Sequence, residues 1–217
     1  MKNYITKNSL ILFSLVLLAS CDLTEDYRGS NDLVTIERDL NNFQNILAED
    51  HMTVNVSQGP VQLVSVTTNA NLTENLITRV EDNTLKIDLK NGSYRSTTFI
   101  VDIQVPDLEK LRFDDAVDGE LFIISDEVTV DMRDASKLTL MGNADILNIG
   151  LSDASKVYGF DFLANTVNVN SQDASKLEIS VMNLLHGKAT DGSKIRYKGT
   201  PSIDVKTEDA AKVINEN

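Results

Sequence analysis

Asp134-Ala135-Ser136-Lys137-Leu138, Asp153-Ala154-Ser155-Lys156-Val157, Asp173-Ala174-Ser175-Lys176-Leu177, Asp191-Gly192-Ser193-Lys194-Ile195 and Asp209-Ala210-Ala211-Lys212-Val213 are copies of one phrase. A degenerate copy, Asp115-Ala116-Val117-Asp118, precedes them, and successive aspartates lie 19, 19, 20, 18 and 18 residues apart. Self-similarity at a near-fixed period of about twenty residues marks a solenoid, in which each repeat is one coil stacked on the last.

The flanks of the phrase identify the coil. Six and four residues before each aspartate stand Val128/Val130, Leu147/Ile149, Val167/Val169, Leu185/Gly187 and Ile203/Val205. Four and six residues after it stand Leu138/Leu140, Val157/Gly159, Leu177/Ile179, Ile195/Tyr197 and Val213/Asn215. The residues between are mostly polar, as at Thr129, Asn148, Asn168, Thr139 and Glu178. Period-2 alternation on both sides of a turn predicts strand, turn, strand in every repeat. A coil this short has no room for a helix as well. The expected fold is all-β, a β-solenoid with coils of about 19 residues and inward columns of Val, Leu and Ile.

The start of the chain reads as an export signal. Lys2 and Lys7 form a basic region, and Leu10 to Ala19 is apolar except for Ser14. Ten residues fall short of the roughly twenty that span a bilayer and suit a signal peptide, assigned to residues 1–20. It closes on Leu18-Ala19-Ser20-Cys21, which resembles a bacterial lipobox, and Cys21 is the only cysteine. Cys21 is therefore expected to carry lipid, and more than one acyl chain holds a protein on a membrane stably. A lone cysteine leaves no internal disulfide or multi-cysteine metal site. Residues 21–32 read as an acidic tether. Acidic residues directly after Cys21 fit outer-membrane sorting, with the external face favoured, although in other systems aspartate there retains a lipoprotein at the inner membrane.

Formal charge is −13, and the chain after residue 20 lacks Lys2 and Lys7, which makes it −15. Such acidity argues against nucleic acid and against charge-driven adsorption to anionic headgroups. The expected partners are the membrane, through the lipid, and a glycan or protein ligand. Residues 33–217 read as one domain, with an N-terminal β region at 33–105 and repeat coils at 106–217. The N-terminal region alternates in Val61 to Val66, Thr84 to Leu89 and Phe99 to Val105 without the repeat phrase, and reads as the opening and cap of the same structure. Asn41 to Leu47 fits either a short helix or an extended entry segment.

The Asp and Lys columns are the most conspicuous candidate site. They comprise Asp134, Asp153, Asp173, Asp191 and Asp209 with Lys137, Lys156, Lys176, Lys194 and Lys212. Like charges stacked every ~4.8 Å repel by about 0.9 kcal/mol per neighbour even in water. Lysine three residues after each aspartate offsets that, and aspartate can accept a hydrogen bond from its own turn. The expectation is a structural turn ladder that holds no metal and needs no cofactor. No catalytic residue is assigned. His51 and His186 are the only histidines and have no ligand spacing. Acids recurring at one position per coil do not single out a bond, as glycoside hydrolysis requires.

Further motifs occur in order along the chain. They are Phe43-x-x-Ile46 ahead of Val54-Asn55-Val56-Ser57-Gln58-Gly59, then Asn71-Leu72 before Leu76-Ile77-Thr78-Arg79-Val80. Asn83-Thr84-Leu85-Lys86-Ile87 and Val105-Pro106-x-Leu108-x-x-Leu111 follow, ahead of the repeats. Over roughly residues 33–214 the ordered set resembles the putative auto-transporter adhesin, head GIN domain family. That resemblance implies a right-handed parallel β-helix, related in shape to pectin lyases but lacking their catalytic residues, and an adhesive or other envelope role. Family members often carry glycine-rich turns where this chain has Asp-Ala-Ser-Lys. The resulting expectation is a lipid-anchored, non-enzymatic envelope protein that presents a solenoid surface. A polysaccharide-processing enzyme on the same fold and a periplasmic scaffold are the alternatives.

Overall fold

A computed structural model of the chain describes residues 25–217, so Cys21 and the apolar run before it lie outside the described residues. The strands, in chain order, are β1 (Asp26–Arg28), β2 (Leu33–Glu37), β3 (Asn45–Ala48), β4 (Thr53–Gln58), β5 (Leu63–Asn69), β6 (Leu76–Glu81), β7 (Thr84–Leu89), β8 (Ser93–Arg95) and β9 (Phe99–Val105). They continue as β10 (Lys110–Phe113), β11 (Asp118–Met132), β12 (Lys137–Leu151), β13 (Lys156–Ser171), β14 (Lys176–Ala189), β15 (Lys194–Lys198), β16 (Ser202–Thr207) and β17 (Lys212–Asn215). A 3-10 turn at Ala70–Leu72 is the sole helical element among the described residues, and no described helix is long and apolar enough to cross a membrane.

Strands β10 to β17 stack in parallel as a β-solenoid. Each long strand leaves one turn, bends, and runs into the next, so it serves both faces of the coil. Register is what makes the repeat work. Val128 pairs with Leu147, Leu147 with Val167, and Val167 with Leu185. These four residues are fully buried, as are Leu138 and Leu177 after the turn. Burying each such side chain contributes roughly 1.5–3 kcal/mol, and a one-residue slip would turn the whole column outward. The inward columns expected from alternation are therefore the core. They thin in the last coil, where Ile203 is 43% exposed.

Unequal repeat lengths are absorbed away from the columns. Pairing of β12 with β13 shifts between Thr139 and Gly142, and pairing of β13 with β14 shifts after Gly159 and Ala164. At the bend, Gly142 has φ +111°, and a Cβ there would lie 2.0 Å from the Ile123 carbonyl oxygen. Only glycine fits so close a backbone approach.

One coil carries no repeat phrase. Strand β3 pairs in register with β10, β4 pairs with the start of β11, and Asp50 between them has φ +71°. Its turn reads Asp50-His51-Met52-Thr53, with Met52 buried where the repeats have serine. Residues 59–105 then cap the solenoid, with β7 and β9 stacked in parallel on β3 and β4. Strand β5 lies antiparallel to both β9 and β2, and β6 lies antiparallel to β7, which is stacked on β3. Asn41 to Leu47 takes the extended alternative, with Phe43 and Ile46 buried and strand pairing from Asn45. Within the segment that reads as a tether, Asp26–Arg28 is already part of the fold. It pairs with Ser93–Arg95, and Tyr27 stacks on Tyr94 at 5.1 Å.

Candidate functional site

The repeated turn is the first candidate, and its backbone explains its sequence. Asp134 and Ala135 both have positive φ (50° and 62°), and the same pair of values recurs at Asp153/Ala154, Asp173/Ala174 and Asp209/Ala210. The Ser136 N–H donates to the Arg133 carbonyl at 3.1 Å, closing a four-residue turn, and Ser155, Ser175 and Ser193 do likewise. Two successive left-handed residues with that closure fit a type I′ turn, which favours Gly, Asn and Asp. Between coils, the Ala135 N–H donates to the Asp153 carbonyl at 2.8 Å, and the bond repeats up the column.

The Asp and Lys side chains depart from the sequence expectation. Among the described residues no hydrogen bond to the carboxylates of Asp134, Asp153, Asp173, Asp191 or Asp209 is present, and backbone groups close the turn. Lys137, Lys156, Lys176, Lys194 and Lys212 stack on one another in register. Within the described residues, Lys137 alone of these lysines forms an ion pair, with Asp118 of the degenerate copy at 3.2 Å. Serine turns inward. Ser136, Ser155, Ser175 and Ser193 are fully buried. Ser155 Oγ donates to the Met132 carbonyl at 3.1 Å, and Ser193 Oγ donates to the Ser171 carbonyl at 3.0 Å. A small buried hydroxyl thus ties the turns at Ser155, Ser175 and Ser193 to the preceding coil.

The histidines stay apart. His51 is exposed in the turn after β3, and His186 is exposed on β14 with Nδ1 2.9 Å from Asp204 Oδ2. No group of three or more His, Cys, Asp or Glu poised to hold a metal ion occurs among the described residues. Perturbed carboxylates cluster instead near the N-terminal coils. Burial raises the pKa of Glu49, and the neighbouring charges of Asp114 and Asp88 add to it. The Arg112 guanidinium holds buried Asp114 at 2.5 Å. At the other end, hydrogen bonds from Lys206 and Lys188 lower the Glu208 carboxyl to about 2.

The lateral face formed by the strand halves after the turn is different in character. Phe122, Ile124, Leu163 and Met182 are 43%, 55%, 45% and 51% exposed, and Leu63 at the capping end is 55% exposed. Leu63, Phe122 and Met141 line one shallow groove together with Asp102 and Glu120. Ile124, Leu163 and Met182 line a second, with Asp126 and Asp145. The two meet on β11, where Phe122 and Ile124 stand two residues apart. Alternation alone assigns these outward positions to polar residues. The signal that could have found them is the unbroken run Leu121-Phe122-Ile123-Ile124, in which inward and outward positions are both apolar.

Residues 42–201 match the family described as "Putative auto-transporter adhesin, head GIN domain". The chain belongs to that family. The match takes in the cap, the phrase-free coil and the repeats as far as Pro201, so the coil at Asp50 is family architecture along with the rest. Among solved structures, a protein from Bacteroides fragilis described as a putative adhesin has TM-score 0.73 and 17% identity, covering 88% of this chain and 100% of its own. A protein from Parabacteroides distasonis described as a putative lipid binding protein has TM-score 0.56 and 15% identity, with 89% and 100% coverage. A putative adhesin from Parabacteroides merdae has TM-score 0.54 and 15% identity, with the same coverage. At such identities the likeness is one of fold. The comparison with curated proteins finds no match. The family and these structures are described as adhesins or binding proteins, none as an enzyme.

Proposed function

We propose that the chain is a lipid-anchored envelope protein that presents the solenoid as an adhesin-like binding surface and performs no chemistry of its own. The observation that carries this reading is the row of apolar side chains left exposed along one lateral face. Exposed apolar patches on an ordered scaffold mark interaction sites, and in-register strands hold this one rigid. Membership of an adhesin head-domain family supports the same reading. The repeated Asp-Ala-Ser-Lys turn has its own explanation in backbone closure and needs no ligand.

Anchoring rests on Leu18-Ala19-Ser20-Cys21, and the place is the outer membrane, facing outward. The described fold begins a few residues after Cys21, so an anchored solenoid would stand close to the membrane with its N-terminal cap nearest to it. Membrane fractionation and intact mass of Cys21→Ser test the anchor. Loss of the lipid mass and release from the membrane are expected, whereas retention with the lipid mass unchanged refutes it. A screen of the protein against glycans and matrix proteins tests the surface. A ligand lost on Phe122→Ser with Ile124→Ser supports the reading, and a ligand indifferent to that change counts against it.

A further inference from the structure

The composition of the apolar row's borders specifies a partner more narrowly than an adhesive surface in general. The two grooves along the row are lined by four carboxylates, Asp102 and Glu120 on one and Asp126 and Asp145 on the other. No Lys, Arg or His lines either groove. The lysines of the turn column stand at the starts of these strands, outside both grooves, and Lys137, beside Glu120, is paired with Asp118. Arg196 is held by Glu178 at 2.5 Å and Glu216 at 2.8 Å, and Lys198 lies 4.5 Å from the centre of the Phe160 ring. We propose that this row is a docking site for a cationic, apolar polypeptide segment, one that sets leucine-like side chains among Phe122, Ile124, Leu163 and Met182 and lysine or arginine against the bordering carboxylates. The proposal deepens the adhesin-like reading by naming its partner class.

Two other occupants fail on charge. A second copy placed groove to groove would set carboxylates against carboxylates, and like charges brought together at an interface cost several kcal/mol. An anionic membrane surface meets the same repulsion. A cationic segment gains in both respects. Its charges face an acidic border, which speeds encounter, and its apolar residues cover side chains now in water. Strand β12, in the middle of the face, pairs with β11 on one side and β13 on the other, so recognition falls chiefly to the side chains.

The test is a titration of the purified full chain with a short labelled peptide of alternating lysine and leucine, read by fluorescence anisotropy at ~0.15 M salt, where charges beyond roughly 8 Å are screened. Two comparison peptides replace leucine by serine or lysine by glutamate. The parent chain is expected to bind the lysine–leucine peptide and neither comparison peptide. Phe122→Ser with Ile124→Ser should weaken binding at least tenfold, and Asp102→Asn with Glu120→Gln about threefold or more. Asp134→Asn with Asp153→Asn removes equal charge from the turn column and should leave binding unchanged. No binding by the parent overturns the proposal. So does equal weakening by the turn-column variant, which would reduce the effect to net charge, or indifference to the Phe122/Ile124 change. Failure here leaves anchored presentation standing, because that reading is judged by fractionation and by its own screen.

Discussion

Replacing Gly192 by alanine isolates the conformational term on which the repeated turn depends. Gly192 has φ +70°, and a Cβ built there meets nothing within 4 Å, so the substitution introduces no clash. Its counterparts Ala135, Ala154, Ala174 and Ala210 take the same conformation at φ 62°, 61°, 57° and 63°. Left-handed backbone costs a residue with a Cβ about 1–2 kcal/mol, while stiffening of the unfolded chain returns about 0.4–1 kcal/mol. Gly192→Ala should therefore destabilise by about 1 kcal/mol, and Ala174→Gly should stabilise by a similar amount. For a domain of this size that is a melting shift of roughly 2–4 °C in each direction. Calorimetry together with urea melts is the assay, with an unchanged denaturant slope showing that both end states are preserved. If Gly192→Ala melts at or above the parent, or Ala174→Gly below it, the turn is not governed by left-handed strain.

Val169→Asp should abolish soluble folded protein, because an unpaired buried charge costs several kcal/mol against a typical total of roughly 5–15; Asn168→Asp, exposed beside it, should melt near the parent. Ser193→Ala loses a buried hydrogen bond at 3.0 Å and should cost about 1 kcal/mol, whereas Ser136→Ala removes a buried hydroxyl without a partner and should be neutral or stabilising in the same melts. Glu49 has a raised folded pKa, so its favourable contribution holds below the usual value of 4.5 and is lost as pH rises through the folded one. Glu49→Gln should then raise the melting temperature at pH 7, with the gain fading near pH 4. Glu208 is the reverse case: its lowered carboxyl contributes above 4.5 and loses that contribution between 4.5 and about 2, so Glu208→Gln should lower the melting temperature at pH 7 and match the parent at pH 2.

Most of the architecture was readable because a solenoid repeats its own evidence. Val128, Leu147, Val167 and Leu185 recur at one offset from an aspartate, and the same residues pair along one column. The coil through Asp50 was not readable as a coil. Its stacking partners, β10 and the start of β11, lie about sixty residues downstream, beyond the capping strands, so no fixed period links the two. The repeated phrase does form a turn, closed by backbone bonds and not by the aspartate side chain. Alternation places Ser155 inward at the same parity as Val157, and there it is fully buried. The apolar row escaped because alternation finds the inward face of a strand, and Phe122 and Ile124 stand on the other one.

The central claim is that ligand is met by the apolar lateral face and that the turn column is structural. Hydrogen exchange of the full chain, with and without saturating lysine–leucine peptide, tests it most directly. Added protection should concentrate in residues 118–125 and 139–145 and extend to the neighbouring strand at 161–165. Turns 133–137, 152–156 and 172–176 should exchange as before. Protection confined to those turns, with the lateral strands unchanged, would contradict the account.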